Sequence, residues 1–358
     1  MTNSAPSPNN VIKISFIVGA IVVLGLLVWQ LAGLWVHLFA GILFATILSS
    51  AAAQIERFTP LAPPWSLVLA TTLIALLAVA FMLLVGFQIS EQFASLVEQL
   101  PQYIASVGDQ LGMQDLEQRM TRRLEEVSAD TGLLGTVTSY ASSTIAAITS
   151  IVLILIIGIY LAINPQDYLR GFLLLVPSSH TEKIHDTMVN IGFALRQWLG
   201  GQLIIMIIVG TMVSVGLWVI GLPSALALGF MAGVAEFIPV LGPILAAAPA
   251  ILIAFSQGWE TLFWVIGLFL VVQQLEGYLI TPLVQRKAVH LPPVLTILSI
   301  VGFGTLLGLP GIVMAAPLAV TMMVAIERLY VREALGKHVN IPGNKADSDN
   351  STGQQKRP

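Results

Sequence analysis

Glu236-Phe-Ile-Pro-Val-Leu-Gly-Pro243 interrupts an otherwise apolar segment that runs from Pro223 to Phe255, and its reading decides the fold. Pro239 and Pro243 have no backbone N–H to donate, and Gly242 relaxes the chain between them. A helix is therefore expected to break here. A second apolar segment, Pro292 to Ile326, carries a comparable interruption at Gly302-Phe-Gly-Thr-Leu-Leu-Gly-Leu-Pro-Gly311. The arms beside each break hold at most 16 residues, or ~24 Å as a helix. That falls short of the ~30 Å hydrocarbon core of a bilayer. Two interrupted segments of this kind predict two re-entrant or broken helical hairpins. Irregular backbone at membrane depth is tolerated only where it is buried in protein or lines a cavity. In transporters, substrate and ions sit at such places.

Composition agrees with a membrane location. The chain has 358 residues, 56% hydrophobic and 10% charged, with a mean hydropathy of +0.88. Soluble domains carry roughly 25% charged residues. With no cysteine, disulfides within the chain and cysteine-ligated metals are excluded. A net charge of −3 offers no basic footprint for nucleic acid.

The pattern predicts an all-α polytopic membrane protein with about six full spans plus the two hairpins. The spans are Val11–Trp29, Leu34–Ala53, Leu67–Ile89, Ile145–Ile163, Leu203–Ile220 and Leu262–Ile280. Each is near the ~20 residues a spanning helix needs. Residues 1–10 and 336–358 read as disordered tails, and the first apolar run as a retained span. Residues 11–89 form a scaffold of spans and 141–163 a further span. Residues 201–335 form a transport region holding both hairpins. Amphipathic helices are expected in an external segment, 90–140, and a cytoplasmic one, 164–200. In the latter, Ile184, Met188, Ile191, Leu195 and Trp198 make one apolar face.

Lys and Arg set the orientation. With the N-terminus cytoplasmic, only Arg119, Arg122 and Arg123 of the 16 basic residues fall outside. This obeys the positive-inside rule. Both termini are then cytoplasmic, and the two hairpins enter from opposite sides.

Glu236 and Glu276 are the carboxylates inside apolar segments. An ionisable group at bilayer depth costs at least ~2.5–3.5 kcal/mol on insertion scales. It is kept there by a partner or a role. At Glu236 the Pro239–Pro243 turn is expected to leave carbonyls free beside the carboxylate, which suits a proton or sodium. The competing reading is that Glu236 only holds the turn by accepting hydrogen bonds. Glu276 shares a helix face with Gln273, three residues away. Gln274, Thr281 and, at the second break, Gly304, Gly308 and Gly311 complete the candidate substrate- or ion-binding set. Tyr278 and Thr305 are further hydroxyls for a polar cargo. A salt bridge from Glu276 to Arg286 or Lys287 is the competing structural reading. No histidine spacing suits a metal, and no nucleotide-binding or hydrolase motif is present, so neither an enzyme nor a resident cofactor is expected.

These motifs resemble the autoinducer-2 exporter family of bacterial permeases. The resemblance rests on Glu236 to Pro243, on Glu276-Gly-Tyr-Leu-Ile-Thr-Pro282 and on Leu291-Pro-Pro-Val294. Gly308-Leu-Pro-Gly311 and Ala316-Pro-Leu318 extend it. The similarity covers about residues 10–335. It implies a homo-oligomer, a pentamer in described members, in the bacterial cytoplasmic (inner) membrane. It also implies secondary transport without ATP. Members have been assigned either the signal autoinducer-2 or sodium and lithium exchanged for protons. The expectation is therefore a proton-coupled exporter of a small polar solute. The alternatives are a sodium(lithium)/proton antiporter of the same fold and, less favoured, a membrane scaffold protein.

Overall fold

The structure, a computed structural model, describes residues 30–81, 149–285 and 291–332, with isolated positions at 19, 23, 26, 91, 92, 95, 99, 102 and 103. The expected first span, most of the external segment, Arg286 and Lys287, and both tails lie outside the described residues. Among those described, all regular structure is helical.

Helix α1 is Ala32–Phe58. It stops at extended Thr59, because the residue before Pro60 is pushed out of the helical region. Helix α2, Pro63–Phe81, starts on a proline, whose missing N–H is an orphan in a first turn anyway. Helix α3, Thr149–Ile163, bends by 88° into the short α4, Pro165–Leu173. Helix α5, Thr181–Ile220, is continuous for 40 residues, ~60 Å, twice a hydrocarbon core. It ends at Gly221, whose φ of 84° makes a left-handed cap. The expected cytoplasmic amphipathic helix and the following span are thus one rod. No Gly/Pro break separates them, and Gly200-Gly201 is accommodated inside the helix.

The first hairpin breaks where the sequence predicts, over a shorter stretch than Glu236 to Pro243. Helix α6, Ala225–Ala235, and α7, Leu241–Gln257, flank a break at 236–240. Helix α8, Trp259–Leu275, continues through a π-helical turn, Glu276–Ile280, into α9, Thr281–Val284. The second hairpin has a narrower break than expected. Helix α10, Pro293–Leu307, and α11, Leu309–Ile326, are separated by Gly308 alone. Gly302 and Gly304 lie inside α10, and Gly311 inside α11. Only Gly308 needs backbone freedom, with φ 68° and ψ −149°. A Cβ on Gly311 would run into the carbonyl of Phe303, so Gly311 lets the arms close on each other.

Among the described residues, four helical stretches are long and apolar enough to cross a bilayer: Ala32–Phe58, Ser178–Ile220, Trp259–Val284 and Leu309–Arg332. The α3–α4 pair adds a fifth if taken as one span. The chain is a helical membrane protein. Large apolar side chains such as Trp218, Phe263 and Trp264 point outward, as expected where lipid is the solvent.

Among the described residues, three buried clusters hold the helices together, and α5 enters two of them. Ile205 to Leu217 of α5 pack with α6, α7 and α8. Ala194 to Leu199 pack with Leu43 of α1 and Ala316, Val320 and Val324 of α11. The third joins α1 to α2 and α3 through Leu48 and Ala162. The α5–α6 approach is close enough that a Cβ on Gly233 would meet the backbone of Met206 and Gly210.

Candidate functional site

The break of the first hairpin is a tight turn. Ile238 N–H donates to the Ala235 carbonyl at 2.9 Å, and Gly242 N–H to the Ile238 carbonyl at 2.8 Å. Val240 adopts φ 71°, a strained conformation for a β-branched residue. Gly242 has no alternative, since any Cβ would strike the Ala235 carbonyl. The turn thrusts Glu236 inward, where it is 3% exposed.

The second carboxyl arrives from the π turn. Pro282 lacks an N–H and its ring collides with a regular helix four residues back. The ladder slips accordingly, and Thr281 N–H reaches the Glu276 carbonyl instead. Such slips are frequent at functional sites. Glu236 and Glu276 interact across the cavity that they line together with Thr281. Gln273 Nε2 donates to Glu276 Oε2 at 2.9 Å.

Both carboxyls line one cavity of about 140 Å³. Trp198 and Gln202 of α5, Pro239, Thr281, Gln285 and Thr296 of α10 contribute to its wall. Gln202 Nε2 donates to the Glu236 carbonyl at 2.7 Å, and Gln285 Nε2 donates to Gln202 Oε1 at 3.4 Å. Trp198 sits edge-on to Phe237, ring centres 5.8 Å apart. Carboxyls, amides, hydroxyls and an indole make a wall that hydrogen-bonds neutral hydroxylated solutes and favours cations over anions. No basic side chain lines it among the described residues.

Of the sequence-predicted set, Glu236, Pro239, Glu276 and Thr281 are brought together here, and Gln273 supports them. Gly242 shapes the turn, and Pro243 lies in the first turn of α7. Gln274, Gly304, Gly308 and Gly311 do not line the cavity. Neither do Tyr278, which is largely exposed, and Thr305, which bonds back to the Gly302 carbonyl. The expected free carbonyls are largely taken: those of Glu236, Ile238 and Pro239 already accept hydrogen bonds. Sequence reasoning missed Trp198, Gln202, Gln285 and Thr296 as wall residues. For Gln202 a signal existed. It continues the stripe Ile184, Met188, Ile191, Leu195, Trp198 by four residues, so a polar side chain falls on an apolar face.

The family model for AI-2E family transporters matches residues 16–331. The chain belongs to this family. "Putative transport protein YueF" of Bacillus subtilis (strain 168) is 28% identical over 255 residues, 65% of this chain and 68% of YueF. The protein YrrI of the same organism is 29% identical over 150 residues, 42% of each chain. "Putative permease PerM" of Escherichia coli (strain K12) is 31% identical over 134 residues, 37% of this chain and 38% of PerM. The chain therefore spans less than half the length of YrrI and PerM. As an AI-2E family member it is a membrane permease, and its family points away from enzymes.

Proposed function

We propose that this AI-2E family protein is a proton-coupled secondary transporter that exports a small polar, autoinducer-2-like solute. Alternating access would occur around the two broken hairpins. The observation that carries the reading is the meeting of Glu236 and Glu276, from two different broken elements, in one polar cavity. Two neighbouring carboxyl groups in one buried cavity favour holding a proton between them, since adjacent carboxylates repel. Such a pair is a natural place to load and release a proton. Cargo that displaces or separates the carboxyls would change what the pair binds, which is the coupling the reading requires.

Sodium or lithium exchange for protons by the same site is the second reading. It is less favoured because a dehydrated cation wants several oxygen ligands, and the turn carbonyls of Glu236, Ile238 and Pro239 already accept hydrogen bonds. The cavity also has room for several waters, more than a bare ion fills. Trp198 adds an aromatic side chain to the wall, which suits an organic solute. A homo-oligomer in the cytoplasmic membrane with both termini inside fits the resemblance.

The test is flux in proteoliposomes that enclose a pH dye, challenged in turn with autoinducer-2 and with sodium. Wild type should give a pH change with autoinducer-2, and Glu236→Gln should lose it while remaining folded. A response to sodium alone would make the chain a cation antiporter. Full coupled flux in folded Glu236→Gln would remove Glu236 from the mechanism.

A further inference from the structure

A second cavity lies on the opposite side of α5 from the carboxyl pair. Its volume is about 480 Å³, and α1, α3 and α5 wall it. Most of the wall is apolar: Ile42, Leu161, Val189 and Phe193. At one side stands Arg196, with the hydroxyl-bearing Thr46 and Ser49 on α1. Arg196 has no ion pair or hydrogen bond among the described residues. Among the described residues, the cavity thus presents one positive charge without a counter-charge, two hydroxyls and an aliphatic groove.

Pro165 fixes its depth. It also lines the cavity, and it begins α4 at the 88° bend from α3. A helix turned almost perpendicular to a spanning helix runs along the membrane surface. Helix α4 has the composition for that position, with Asp167 and Arg170 beside Tyr168 and Phe172. The bend therefore marks the level of the lipid headgroups, and Arg196 shares that level. Leu174 and Leu175, just after α4, are more than four-fifths exposed, as suits residues that dip into lipid. Neither Asp167, beside the bend, nor Asp186, ten residues before Arg196, lines the cavity.

We infer that this groove binds an anionic phospholipid, with the phosphate held by Arg196 and Ser49 and an acyl chain lying along Ile42, Leu161 and Phe193. Ser49 is the free donor of the two hydroxyls, because Thr46 already donates to the Ile42 carbonyl at 2.8 Å. A basic group between spanning helices at the headgroup level is the recognised chemistry of such sites. A zwitterionic lipid brings its own cation to the arginine and gains less. The bound lipid would bridge α1 and α5, which also pack directly in the cluster around Leu43.

The experiment is native mass spectrometry of the full chain, titrated with phosphatidylglycerol and with phosphatidylethanolamine of the same acyl composition. Wild type should prefer phosphatidylglycerol. Arg196→Gln should lose about fivefold in that preference, the effect of one basic residue at an anionic surface, and Arg196→Lys should largely keep it. Arg170→Gln, outside the groove, should leave it unchanged. Gly192→Leu gives a second route if Arg196→Gln folds poorly. A side chain there meets no atom within 4 Å, so it would project into the groove and exclude the acyl chain. Equal binding of the two lipids by wild type, or full preference in folded Arg196→Gln or Gly192→Leu, would overturn the assignment. So would competition by glycerol phosphate as effective as by the intact lipid, which would mean a free-anion site. None of these readouts depends on which solute is transported.

Discussion

One side-chain amide, that of Gln202, holds the Glu236 carbonyl at 2.7 Å and offers its own oxygen to Gln285. It does so 4% exposed, where water is scarce. Gln202→Leu keeps the size and removes both bonds, leaving a buried carbonyl unpaired. The expected loss is ~1–3 kcal/mol, read as a lowered thermal midpoint in detergent. An unchanged midpoint would mean that water replaces the amide and that Gln202 does not hold the turn. Glu236 and Glu276 were legible as residues because charge is rare inside apolar segments. Their meeting was not legible, since 40 positions separate them and only the packing of α8 against α5 brings them together. Gln202 was legible only through its place on the apolar stripe of α5, and Thr296 was not legible at all. A threonine hydroxyl can bond the carbonyl four residues back, as Thr296 does to Pro292, so sequence alone does not flag it.

The π turn at Glu276–Ile280 is an element whose cause is a single ring. Replacing Pro282 by alanine restores an N–H and removes the collision with the preceding turn. The stretch should revert to regular α-helix. One residue withdrawn from a bulge rotates the helix before it by about 100° relative to the helix after it, and Glu276 would leave the cavity. Pro282→Ala is therefore expected to keep or raise the thermal midpoint while coupled flux falls sharply. Retained flux together with retained stability would show that the slipped ladder is incidental. At this scale the hairpin breaks were the readable part, since proline and glycine act locally. The width of the second break was misjudged because glycine permits a break without demanding one. Gly302 and Gly304 stay helical, and only Gly308 takes up positive φ.

Across the whole molecule, the cavity must open to two sides in turn if access alternates. The wall residue Gln285 packs on Gly201 in a seam outside the cavity, where a Cβ on Gly201 would lie 3.1 Å from Gln285 Cγ. Cysteines at 201 and 285 would fall within reach of a disulfide, and the chain has no other thiol. Oxidation should stop flux and a reductant should restore it. Undiminished flux in fully cross-linked protein would show that this seam stays shut throughout the cycle. The global arrangement was only partly legible, because an unbroken α5 leaves no punctuation where membrane and cytoplasm meet. That same continuity has a consequence of phase. Trp198 and Gln202 face the carboxyl pair, Val213 and Leu217 face the first hairpin, and Arg196 faces the groove beside α1, all from a single helix. Their angular offsets are set by residue count alone, at about 100° per residue. A one-residue insertion near Gly200 would leave each contact chemically intact yet point half of them the wrong way. The helix thus keeps time for the whole bundle, and its length in residues is as constrained as any side chain it carries.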